Sequence, residues 1–245
     1  MKLKCISTGS SGNCYILTDF SGQSLIIDAG VPIKDIKRGL DWNIKNVAGC
    51  ILSHVHSDHF KSVKDLESIG IAVWKPSIEY ETAITTMSKQ MGNFNVSCFN
   101  LTTLDGKWTH TNTDGTECPC YGFLITHKEM GKMLYITDTE LIKWRFKDVN
   151  HILLGVNYDK DLVDMDNPKA NHVIRGHMSI DTACDFVKAN DSDSLQNVIM
   201  CHLSNENANA DTFIEKMRKI VPSANVSVAK GGMEWELRNA DECPF

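Results

Sequence analysis

Between Ile51 and Phe60 the chain reads ILSHVHSDHF. An apolar run ends at Leu52, and His54, His56, Asp58 and His59 follow within six positions. Such a segment limits the folds open to the chain. Side chains two apart in extended backbone point to the same side, so a strand ending here can aim His54 and His56 at one point. Asp58 and His59 follow in a tighter turn and can face a second point. Imidazole and carboxylate suit zinc, manganese or iron rather than calcium alone. Three of the chain's nine histidines in so short a stretch is more than a polar surface loop collects by chance. A structural zinc site closes four ligands, often with thiolates. More ligands than that, and no thiolate beside them, favour a catalytic site with two metal ions.

A two-metal site needs further ligands, which should come from other strand ends. Asp138 ends the stretch MLYITD and is placed to bridge two ions. His202 ends VIMCH. His110 lies in KWTHTN, after a possible strand. Each alone reads as a turn, cap or packing residue; together they complete the set.

The rest of the chain reads as strands first and helices later. Strands are expected at Leu3–Ser7, Cys14–Thr18, Ser24–Asp28, Gly49–Ser53, Ile71–Trp74, Asn95–Asn100, Gly122–Thr126, Lys132–Thr137 and His151–Val156. Turns such as GSSGN and FSGQ separate the early ones. Helices are expected at Ser62–Ile69 and Ile78–Met91. A further helix is capped by Ser179, with Ile180, Ala183, Cys184 and Val187 on one face, and another is capped by Asp211, with Phe213, Met217 and Ile220 inward. NVIMCHLS is a buried strand, and VSVAKGGMEWEL closes the chain with a strand pair. This order suggests a sheet-on-sheet core with helices outside.

The 245 residues, 42% of them apolar, suffice for one core, and a single domain over residues 1–245 is expected. There is no run of eighteen apolar residues and no secretory leader, so a cytoplasmic protein without membrane contact is expected. The nine cysteines are odd in number and form no C-x-x-C pair, which reads as reduced thiols. The formal net charge is −6, and no Lys/Arg run exceeds two residues, which argues mildly against a long nucleic-acid partner.

HVHSDH resembles the H-x-H-x-D-H signature of the metallo-β-lactamase fold. LIIDAG with Asp28, YITDTE with Asp138 and MCHLS with His202 resemble other motifs of that family, in the right order along nearly the whole chain. The resemblance implies an α/β fold, the αβ/βα sandwich, with two mixed sheets packed face to face, helices on both outer faces and metals at one edge. It implies that His54, His56 and His110 hold one divalent ion, that Asp58, His59 and His202 hold the other, and that Asp138 bridges. Zinc is expected, with manganese as the alternative. Asp28 would orient the metal loop from behind the ligands.

Within the family, STGSSGNCYIL, CYGFLI, NYD, GHMS and HLSNEN look like the WalJ/YycJ-type phosphodiesterases and their phage relatives, with ribonuclease Z a more distant cousin. That likeness implies a two-metal phosphodiesterase. Asp58 would help hold the attacking water, and His177 of GHMS would give a proton to the leaving oxygen. Asn157 and Ser204 would touch substrate. The chain departs from these relatives at two points. His110 precedes Gly122 by twelve residues rather than about six, and Gly155 stands where relatives carry a Glu that pairs with the proton donor; Asp159 is the substitute on offer. The acidic charge favours a small substrate, a 3′,5′-cyclic mononucleotide, as for phage anti-Pycsar enzymes that destroy cyclic-nucleotide immune signals. The alternative is a 5′ to 3′ DNA exonuclease. A third reading, of another class, is a metal-binding interaction protein without activity. By analogy with the family, a homodimer is expected.

Overall fold

The computed structural model describes residues 1–76, 87–103, 106–112, 114–167, 174 and 176–239. Among these, one sheet has six strands. In spatial order they are β13 (Glu234–Glu236), β1 (Lys2–Ser7), β2 (Cys14–Thr18), β3 (Ser24–Ile27), β4 (Val47–Ile51) and β5 (Val73–Trp74). The other has seven: β12 (Asn225–Val228), β11 (Asn197–Cys201), β10 (His151–Gly155), β9 (Gly131–Ile136), β8 (Tyr121–His127), β7 (Phe94–Asn100) and β6 (Met87–Met91). β3, β4 and β5 run parallel, as do β9 to β12; the remaining pairings are antiparallel.

Side-chain alternation explains the layers. In β1 to β4, Leu3, Cys5, Tyr15, Leu17, Leu25, Ile27 and Ile51 face Phe94, Val96, Phe123, Ile125, Met133, Tyr135, Leu153 and Ile199 of the second sheet in one buried core. The intervening residues pack outward. Ile16, Ile26 and Cys50 meet α1 (Ile33–Gly39) and α3 (Val63–Ser68) through Ile36, Val63 and Leu66. Leu134, Ile136, Ile152, Leu154, Val198 and Met200 meet α4 (Ile180–Ala189) and α5 (Ala210–Ile220) through Ile180, Ala183, Phe213 and Met217. Strands buried on both faces read as continuous apolar runs, and VIMC and HILL do. The result is the expected αβ/βα sandwich.

Four local expectations need correction. The helix expected at Ile78–Met91 ends in strand β6 over Met87–Met91, and residues 77–86 lie outside the described residues. Asn209, not Asp211, caps α5, accepting a hydrogen bond from Thr212 N. The closing strands do not pair with each other: β12 joins the second sheet and β13 crosses to β1 of the first. His110 does not follow a strand; it sits between two isolated bridges, Thr102 with Trp108 and Thr111 with Glu117. Cys243 lies outside the described residues, and the other eight thiols are free, seven of them buried.

No helix among the described residues is long and apolar enough to cross a membrane. At the strand ends farthest from the histidine segment, Asp19, His127 and Glu129 also gather. Their polar atoms are already engaged. Asp19 accepts from Gln23 N, Ser21 and Asn93, His127 Nδ1 accepts from Glu129 N, and Glu129 receives Phe20 N and the Met1 ammonium. The cluster clips the two sheets together.

Candidate metal centre

The expected ligands leave the two sheets at the same edge. Asp28 follows β3, the histidine segment follows β4, Asp138 follows β9 and His202 follows β11. These are the carboxyl ends of parallel strands, where open α/β sheets place their ligands. Asp28, Asp138 and His202 all have left-handed backbone, with φ of 56°, 47° and 56°. Non-glycine residues rarely adopt it, and such strain gathers at functional sites. Here it turns each side chain back across the sheet edge as its strand ends.

The histidine segment itself is held by close backbone packing. Its single-turn helix α2 (Ser57–Phe60) lies against the loop after β3: Ala29 N donates to His59 O and Ser62 N donates to Ala29 O. A Cβ on Gly30 would fall 1.6 Å from Asp58 O, so only glycine fits there.

All seven expected ligands come together. Ligand atoms of His54, His56 and His110 lie within 4.8 Å of one another, and so do those of Asp58, His59 and His202 and those of His54, His59 and Asp138. His110 Nε2 is 2.8 Å from His56 Nδ1. Asp138 reaches both halves through its cluster with His54 and His59; Oδ2 is 3.0 Å from His59 Nε2, and Oδ1 is 3.6 Å from His202 Nε2. His177 Nε2 is 3.2 Å from the same Oδ1.

Burial holds His54 well below the usual imidazole range, and His59 adds to the effect; burial brings His110 down to about 4. For His59, burial works the other way from Asp28 and Asp138, and the two carboxylates win, keeping it raised. Burial opposes the ionisation of Asp58 and Asp138, but His202 and His59 outweigh it and hold both carboxyls low. Imidazoles converging on ionised carboxylates make a divalent-cation donor set. His59 adds a specific sign of fit. Its Nδ1 donates to Asp28 Oδ2 at 2.6 Å, leaving Nε2 turned to Asp138 and Asp58. That carboxylate–imidazole pairing fixes the tautomer that ligates zinc.

Asp28 sits where expected, behind the ligands, fully buried and also receiving Ser53 N at 2.7 Å and Ser53 Oγ at 2.8 Å. Asp159 is engaged elsewhere: it accepts from Lys216 Nζ at 3.0 Å and from Asp161 N. Asn157 is buried under His202 and donates to its carbonyl at 2.9 Å. Ser204 Oγ accepts from Glu206 N and Asn207 N in a turn. After His110, Thr111 bridges Glu117, Asn112 Nδ2 donates to Thr116 Oγ1, and Asn112 Oδ1 lies 3.1 Å from His56 Nε2. Gly155 faces Thr137, where a Cβ would stand 3.0 Å from the Thr137 backbone.

Sequence reasoning missed Asn13, Thr8, Ser53 and Tyr135. Thr8 Oγ1 accepts from His202 N at 2.9 Å, and Tyr135 OH donates to Asp28 Oδ2 at 2.5 Å. The GSSGN stretch was visible as a turn, and its polar residues at a strand start were the available signal. Tyr135 carried none.

The sequence profile of the metallo-beta-lactamase superfamily matches residues 7–97, which include Asp28 and the whole histidine segment. The chain has the metallo-β-lactamase fold. It is 26% identical to the exodeoxyribonuclease YycJ of Bacillus anthracis over 261 aligned residues, covering 96% of this chain and 94% of that one. Among solved structures, the metallo-β-lactamase-fold protein YhfI of Bacillus subtilis superposes with a TM-score of 0.65 at 16% identity, covering 96% and 98% of the two chains. The short form of human tRNase Z superposes with a TM-score of 0.60 at 14% identity, covering 97% and 99%. These structural likenesses speak for the metallo-β-lactamase fold alone.

Proposed function

We propose that this protein is a metal-dependent phosphodiesterase acting through two divalent ions, zinc first and manganese as the alternative. The observation that carries the reading is Asp138, which clusters with His54 of one ligand group and His59 of the other while His177 stands 3.2 Å from its Oδ1. On this reading His54, His56 and His110 hold one ion, Asp58, His59 and His202 the other, and Asp138 lies between. Divalent ions here supply a Lewis acid for the phosphoryl oxygens and lower the pKa of an attacking water. Asp58 orients that water. His177, at the lip of the site, hands a proton to the departing oxygen.

For the substrate we favour a 3′,5′-cyclic mononucleotide, because the chain is acidic and carries no long basic run. The cyclic-nucleotide, anti-Pycsar role of a phage protein belongs to this reading. The similarity to an exodeoxyribonuclease along nearly the whole chain favours a second substrate, DNA. The test is hydrolysis by zinc- and manganese-loaded protein of cyclic AMP, GMP, CMP and UMP beside 5′-phosphorylated single- and double-stranded DNA. Linear monophosphates with intact DNA establish the first reading; shortened DNA with intact cyclic nucleotides establishes the second. Metal bound at two equivalents without turnover of any of them returns the inactive interaction protein. Light scattering of the same sample tests the homodimer that family analogy implies.

A further inference from the structure

Asn13 closes the loop that joins β1 to β2 and is 1% exposed. The direction of its amide is fixed by the backbone. Gly9 N–H donates to Oδ1 at 2.8 Å, so the other arm is Nδ2. Nδ2 lies 3.1 Å from Gly9 O, 3.0 Å from His59 Nε2, 3.4 Å from Asp58 O and 3.4 Å from Asp58 Oδ2. The main chain adds a tie of its own, with Asn13 N donating to Asp58 O at 2.7 Å and Gly30 N donating to Asn13 O at 2.9 Å. An amide nitrogen is a donor and cannot ligate a cation. One of its hydrogens serves Gly9 O; the other faces the edge where Asp58 and His59 meet.

That placement is asymmetric. Asn13 touches two of the three ligands grouped as Asp58, His59 and His202, and Thr8 of the same loop receives the backbone N–H of the third. The contacts made by His54, His56 and His110 run instead to Ser53, Asn112 and one another. An aspartate χ2 is soft, so a carboxylate without a fixed donor swings among orientations. We propose that Asn13 is a positioning residue that sets the Asp58 carboxylate beside His59, and so governs one metal position and not the other. This inference rests on the two-metal reading above.

The experiment is a calorimetric titration of the metal-free protein with Zn2+, beside circular dichroism and thermal melting without metal. The wild type is expected to take two equivalents. Asn13→Ala is expected to keep one at unchanged affinity and to lose about 10–100-fold on the other, the range seen when a partner behind a ligand is removed. Asn13→Ser keeps a hydroxyl for Gly9 N–H but is too short to reach the Asp58 carboxylate. It should show the same selective loss, and it replaces Asn13→Ala if that variant does not fold. Equal weakening of both equivalents, or of neither, in a folded variant overturns the proposal. A wild type that binds fewer than two equivalents sinks the two-metal reading itself, and this proposal with it.

Discussion

The Tyr135 hydroxyl, on β9 of one sheet, donates to Asp28 Oδ2, just past β3 of the other, at 2.5 Å. The same oxygen receives His59 Nδ1 at 2.6 Å and Ser53 Oγ at 2.8 Å. One buried carboxylate therefore ties both sheets to the histidine segment. Tyr135→Phe removes a donor to a charged group and should cost about 1–3 kcal/mol in denaturant unfolding. Zinc affinity should fall with it, because His59 then rests on a less constrained carboxylate.

Asp58→Ala should abolish turnover of every phosphodiester substrate while far-ultraviolet circular dichroism stays that of the wild type. Asp58 is on the site side of α2, with its side chain 23% exposed, so its loss opens no core cavity. Unchanged turnover would sink the enzyme reading.

His177→Gln separates proton donation from metal binding. Turnover of substrates with alkoxide leaving groups should drop by about 10²–10⁴, the usual worth of a general acid. A p-nitrophenyl phosphodiester, whose phenolate leaves without a proton, should lose less than about tenfold on the same grounds. Zinc content measured by atomic absorption should not change. Loss of an equivalent of zinc would instead make His177 a ligand, which its position beside Asp138 and His202 also allows geometrically.

Gly30→Ala places a methyl group onto Asp58 O and within 2.8 Å of Asn13 N. Neither backbone can yield without moving the other, so destabilisation above about 2 kcal/mol is expected in thermal or denaturant melts. Any folded fraction should bind zinc weakly.

His151, at the start of β10 and away from the metal edge, is pushed down to about 4 by burial. Its Nδ1 lies 2.9 Å from Asn197 Nδ2 and its Nε2 3.2 Å from Arg238 O, an arrangement that suits the neutral ring. The folded pKa is below the unfolded one, so the unfolded chain binds more protons between the two. Stability from this residue is full above pH 6.5 and drains away as pH falls toward 4. A shift of that size is worth roughly 3 kcal/mol. Urea melts of wild type and His151→Gln across this range should show a shallower pH slope in the variant, by about one proton.

The candidate ligand set was legible in the sequence because ligation is a matter of residue type and strand ends are marked by where apolar runs stop. His54, His56, Asp58, His59, Asp138 and His202 all obey that logic, and the sandwich follows from apolar runs whose alternate residues must each find a cover. Other features had no local signature. Alternation in β12 and β13 says that both are strands but not that they part to opposite sheets, since period two carries no information on partners. Asn209 and Asp211 are both acceptable caps by residue type, and the helix begins where Asn209 accepts from Thr212 N. Asn13 and Tyr135 are 45 and 107 residues from the groups they hold. Only the closing of one sheet upon the other brings them there, because a hydrogen bond acts over about 3 Å and the chain's order in sequence does not record which distant atoms will come that near.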